Sequence, residues 1–123
     1  MITEDYVSFE IAKLLKEKGF NEPTWTRYED GNEVIFGDKY DWNNSPMGQI
    51  SAPTHQMAMK WLREEYGISI EISALKRHQW VYTIYRLLEK KVAEVWNDGT
   101  YVSYEDATDD ALKYCLENLD KFI

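Results

Sequence analysis

A chain of 123 residues is long enough to bury a core without staples, and its net charge of −8 disfavours nucleic-acid phosphates and anionic membranes as partners. Apolar residues at 44% and aromatic residues at 15% exclude a disordered chain, and a lone cysteine, Cys115, excludes an internal disulfide or a thiolate metal cluster. No apolar run approaches the roughly eighteen residues of a membrane span, and the acidic N-terminus lacks a secretory pattern, so a cytoplasmic protein is expected.

The first helix has two candidate starts. Thr3 can cap it, with Glu4 and Asp5 in the first turn, or Ser8 can, with Val7 stapled onto Ala12. Either start puts Ile11, Leu14, Leu15 and the stem of Lys18 on one face, and Gly19 is its stop. Phe9 falls on the opposite side. Residues 25–28 read as a strand, Asp30, Gly31 and Asn32 as a turn, and 34–36 as the returning strand of a hairpin. From 37 to 51 there is no periodicity, and Gly37, Asn43, Asn44, Ser45, Pro46 and Gly48 mark irregular backbone.

Pro53 suits the first turn of a second helix, capped by Thr54 or Ser51, with Met57, Ala58, Trp61 and Leu62 as its apolar face and Gly67 as its stop. The period then switches from about 3.6 to 2. Ile68, Ile70 and Ile72 alternate with Ser69, Glu71 and Ser73. In a second strand over 80–87, Trp80, Tyr82 and Ile84 face one way and Val81, Thr83, Tyr85 and Leu87 the other. A third strand over 92–96, closed by Asn97, Asp98 and Gly99, completes a meander. Ser103 caps the last helix, whose small residues Ala107, Ala111 and Cys115 form a ridge flanked by Tyr104, Leu112, Leu119 and Phe122. The expected fold is a single α+β domain in the order α-β-β-α-β-β-β-α. Its sheet is mainly antiparallel, a hairpin plus a three-stranded meander, and the pattern leaves open whether the hairpin joins the meander.

The segments LLKEKGF (14–20), APTHQMAMKWLREEYGISIEI (52–72), WVYTIY (80–85), YEDA (104–107) and ALKYCLENL (111–119) resemble a family of small proteins encoded by gut bacteria, their prophages and related mobile elements. The resemblance runs along nearly the whole chain. It implies an accessory protein of a mobile element or its host and carries over no catalytic or binding residue, because no activity is established for the family.

No nucleophile elbow, P-loop, dinucleotide fingerprint or His-Glu-x-x-His motif occurs, and no cofactor is called for. The best functional candidate is the 37–51 segment, because loops longer than about 12–15 residues are often functional. Tyr40, Trp42 and Met47 would be its partner-binding anchors, with Tyr85 on the uncovered face of the meander; Tyr40 and Trp42 folded back as a lid on the core is the structural alternative. This pattern points first to a non-enzymatic interaction or regulatory module with a protein partner or a homodimer. A second reading is a small hydrolytic or metal-assisted enzyme using Asp38, Asp41 and His55, which requires those three to converge. A third, suggested by the net charge, is an acidic mimic of nucleic acid; Glu105, Asp106, Asp109 and Asp110 crowd the first turns of the last helix, where they favour its dipole, with a metal-binding or basic-partner face as their second reading. Lys76, Arg77 and His78, with Lys90 and Lys91, flank the aromatic strand as single-strand nucleic-acid binders do, but the net charge opposes that use. Cys115, on an apolar helix face, reads as a small buried hydrophobe.

Overall fold

Ser8 is the cap that forms. Its Oγ accepts the Ile11 N–H at 3.3 Å, and α1 runs Phe9–Glu17 with Ile11, Ala12 and Leu15 buried. The computed structural model describes residues 2–31, 33–87, 91–92 and 100–123. Gly19 follows the helix at φ +92, a backbone conformation that any Cβ would strain. Phe9, left over by the helix face, meets the Tyr28 ring edge-on at 5.3 Å and lies beneath the Lys13 ammonium.

Contacts within this α+β domain fall into two compact units, Met1–Ala58 and Met59–Ile123. The first unit holds α1 and an antiparallel sheet of β1 (Thr24–Tyr28), β2 (Ile35–Tyr40) and β3 (Ile50–Ser51), ordered β2-β1-β3. The hairpin therefore has its own sheet, and residues 37–51 are more regular than their composition suggests. They contain the far half of β2, a 3-10 turn at Trp42–Asn44 and β3. Burial alternates along β1. Thr24, Thr26 and Tyr28 point inward, Trp25 is exposed, and Arg27 is half-buried.

Three of the buried hydroxyls of this unit are satisfied, as a dry interior favours, while Ser51 Oγ is buried without a hydrogen-bond partner among the described residues. Thr24 donates to the Thr26 carbonyl at 2.7 Å, Thr26 to the Ala52 carbonyl at 2.5 Å, and Tyr28 to the Val7 carbonyl at 2.6 Å. The N-terminal segment is stitched to the start of the second helix by a Tyr6–Thr54 bridge, by Val7 N–H to the Pro53 carbonyl and by His55 N–H to the Asp5 carbonyl.

Thr54, not Ser51, caps α2 (His55–Tyr66), accepting the Met57 N–H at 3.1 Å. Pro53 thus stands just before the cap rather than in the first turn. The division between the units falls within this helix, which ends at Gly67 with φ +64.

The second unit is built on β4 (Ile68–Lys76) and β5 (Gln79–Arg86), paired antiparallel along their length around a turn with His78 at φ 64. A short β6 (Lys91–Val92) pairs with the end of β5; the remainder of the expected third strand and its closing turn lie outside the described residues. The last helix, α3 (Tyr104–Glu117), packs on β4 and β5, with Ser103 Oγ accepting the Asp106 N–H at 3.0 Å. Ala107, Ala111 and Cys115 are fully buried. Small residues there let the helix backbone approach the sheet, whose contribution is Ile68, Ile70, Tyr82 and Ile84.

Candidate interaction surface

Trp42 is an internal support rather than an exposed anchor. Its Nε1–H donates to the Thr24 carbonyl at 3.0 Å, and the Arg27 guanidinium stacks on its ring at 4.4 Å. Arg27 is held in turn by Glu29, Nε to Oε1 at 2.9 Å. Gly37 makes room for this stack, because a Cβ there would lie 2.7 Å from Arg27 Nη1. The Gln49 amide donates to the same Glu29 oxygen at 2.7 Å. These two donors, Gln49 first and then Arg27, hold the Glu29 carboxyl below its ordinary range.

The rest of the segment is tied down by side-chain hydrogen bonds. Asn43 bridges two elements, donating to the Phe20 carbonyl at 2.8 Å and accepting the Ser51 N–H at 2.9 Å. Ser45 Oγ donates to Gln49 Oε1 at 2.6 Å and accepts the Met47 N–H at 3.2 Å, while Lys16 Nζ donates to the Gln49 carbonyl at 3.2 Å. What this scaffold leaves outside is apolar. Tyr40, edge-on to Trp42 with ring centres 5.1 Å apart, is 48% exposed, and Met47 at the tip is 79% exposed. Trp25 and Phe36 on the neighbouring strands are exposed as well. Sequence reasoning took Trp25 and Phe36 for ordinary strand residues, although the alternation of Trp25 with Thr24 and Thr26 was a signal that β1 has an outward side; Phe36 stands opposite Thr26 in the ladder.

β2 is an edge strand, and its middle is guarded. Asp38 and Lys39 stand there, and the ladder with β1 slips between Thr24 and Thr26. A two-fold pairing of this edge with its own copy must set one residue opposite itself. Centring on Asp38 opposes two carboxylates, and centring on Gly37 sets Phe36 against Asp38; neither is favourable across strands. Asp38 thus disfavours these two central registers of a self-pairing.

Tyr85 lies elsewhere, in the second unit. It is half-buried in the β5 ladder between Ser69 and Val92. The face it shares is interrupted by Ser69, Glu71 and Ser73 of β4, which stand opposite Tyr85, Thr83 and Val81, so the β4–β5 part of that face is not continuously apolar. Leu87, at the strand end, is 47% exposed.

The three residues of the hydrolytic reading are placed in different local settings. Asp38 is exposed on β2; Asp41 begins the 3-10 turn, its Oδ2 accepting from Asn44 Nδ2; His55 is buried in the first turn of α2. Among the described residues no group of three His, Cys, Asp or Glu could hold a metal ion, so the metal-assisted form of that reading has no ligand set there. In α3, half-buried Asp110 accepts a hydrogen bond from the Tyr101 hydroxyl. Tyr101 is hydrogen-bonded to Tyr82, and burial pushes the Tyr82 phenol up to about 12. Burial likewise pushes the Cys115 thiol up to about 12, which leaves it protonated and unreactive at neutral pH. The aromatic strand offers little for base stacking, since Tyr82 is buried and Trp80 packs edge-on against Tyr104 at 5.5 Å.

A groove of about 420 Å³ opens beside Trp25 on the first unit, between the N-terminal segment and the start of β1. No helix among the described residues is long and apolar enough to cross a membrane. No protein-family model, curated protein or solved structure matches the chain.

Proposed function

We propose that the chain is a non-enzymatic protein-interaction module that presents the exposed Tyr40 and Met47 of its first unit to a protein partner. The observation that carries this reading is the contrast within one segment. Asn43, Ser45 and Gln49 spend their hydrogen bonds on fixing the backbone, while Tyr40 and Met47 are left in water. An apolar side chain on a pre-ordered backbone loses little entropy on binding, which is the property of an interface anchor.

The resemblance to small proteins of bacterial mobile elements supports an accessory role for such a module in a host cell. A free, buried thiol with no disulfide partner is in keeping with a reducing, cytoplasmic setting. The guarded edge of β2 favours a different protein over a second copy as the partner. The test is affinity capture from a bacterial host lysate with the wild-type chain and with a Tyr40→Ala/Met47→Ala variant. A partner retained by the first and lost by the second, with the variant folded by circular dichroism, is the expected result; identical captures by both would refute the reading.

A further inference from the structure

The groove beside Trp25 is lined by Tyr6 and Trp25, by the acidic residues Glu4 and Glu22, and by Lys39 and Thr24. Its volume, about 420 Å³, falls in the range of sites that admit a small ligand or one long side chain. Glu4 and Glu22 make no ion pair among the described residues, and Trp25, 62% exposed, has no ring partner among them. Elsewhere the same unit matches aromatic faces with its own cations, Lys13 over Phe9 at 4.8 Å and Arg27 over Trp42 at 4.4 Å. Here Lys39 lines the same groove, yet among the described residues no cation lies over the Trp25 ring or pairs with Glu4 or Glu22.

We infer that this groove receives an arginine side chain from an extended segment of the protein partner. The guanidinium stacks on Trp25 and meets the carboxylates of Glu4 and Glu22, and the Lys39 ammonium is left for the segment's carbonyl oxygens. Charge decides the occupant: an anionic group would gain one lysine and oppose two carboxylates, whereas a cation gains both carboxylates and an aromatic face. Arginine suits better than lysine because its planar fork can stack and bridge two carboxylates at once. This inference rests on the interaction-module reading and adds to it the chemistry of one contact.

The probe is the capped tripeptide acetyl-Gly-Arg-Gly-amide, with the Lys and Gln tripeptides as controls, titrated into the ¹⁵N-labelled full chain at low salt. The expected result is a saturable shift of the Trp25 indole N–H and the Tyr6 and Thr24 amides, strongest for Arg and absent for Gln. Glu4→Gln/Glu22→Gln is expected to weaken binding on the order of fivefold, the effect of losing two exposed ion pairs. Trp25→Leu should weaken it about threefold. A charge-matched control, Glu105→Gln/Asp106→Asn on α3, should leave it unchanged. Equal weakening by the control pair, or shifts spread over every acidic surface, would overturn the inference and show attraction to net charge alone. A silent groove, in a chain that still captures a partner through Tyr40 and Met47, would overturn this inference and leave the interaction-module reading standing.

Discussion

Asn43→Ala is the sharpest test of whether the 41–49 segment is a rigid platform. Asn43 makes two hydrogen bonds to backbone, one as donor to Phe20 and one as acceptor from Ser51. Each is worth about 0.5–1.5 kcal/mol net. The Ser51 amide is the costlier loss, because Ser51 is fully buried and water cannot replace the acceptor. An unsatisfied buried donor costs about 1–3 kcal/mol, so the variant is expected to lose about 2–3 kcal/mol against urea. Native-state hydrogen exchange gives the local readout: the Ser51 amide should lose protection, while amides in the β4–β5 ladder change only as global stability does. A loss under about 0.5 kcal/mol with Ser51 still protected would refute the reasoning. It would mean that the segment is held by packing, and the pre-ordering on which the interaction surface depends would need another source.

Two further outcomes concern ionisable groups. The Cys115 thiol is raised from an ordinary 9.0 to about 12 in the folded chain and Tyr82 from 10.0 to about 12, so between those limits the unfolded state binds fewer protons than the folded one. Stability is therefore fully present below about pH 9 and falls as pH rises toward 12; Cys115→Ala should flatten that fall in urea titrations, and an unchanged slope would count against the burial argument. Gln49→Ala should raise the Glu29 carboxyl toward its ordinary 4.5 by NMR titration, since the Gln49 amide is the first cause of its depression.

Helix ends and the isoleucine strand were legible because their signals are local. Ser8, Gly19, Gly67 and Ser103 act within one turn of themselves, and the alternation at Ile68 and Ile70 needs only a period of two. The choice between Thr3 and Ser8, or Ser51 and Thr54, was not legible. Ser51 is taken up in β3, and residues before Val7 pair with the 53–55 stretch; both are tertiary facts. The far half of β2 escaped for a related reason. An edge strand exposed on both sides has no periodic burial to display, and Gly37, Asp38 and Lys39 read as loop. Of the candidate anchors, Tyr40 and Met47 were legible as exposed residues. Trp42 was not, because its role depends on Arg27, fifteen positions upstream in sequence but stacked upon it in the fold.

The bridge between Tyr6 and Thr54 bears on how the first unit assembles. Its two paired segments lie at opposite ends of that unit in sequence, so one partner of the bridge precedes α1 and the other follows β3. During synthesis the N-terminal residues must wait, unpaired, until the start of α2 has emerged. The closure then brings together ends separated by most of the unit, at an entropic cost that grows only slowly with loop length, about 0.6 kcal/mol per doubling. The groove beside Trp25, whose lining includes Glu4, Tyr6 and Thr54, is complete only once that closure is made.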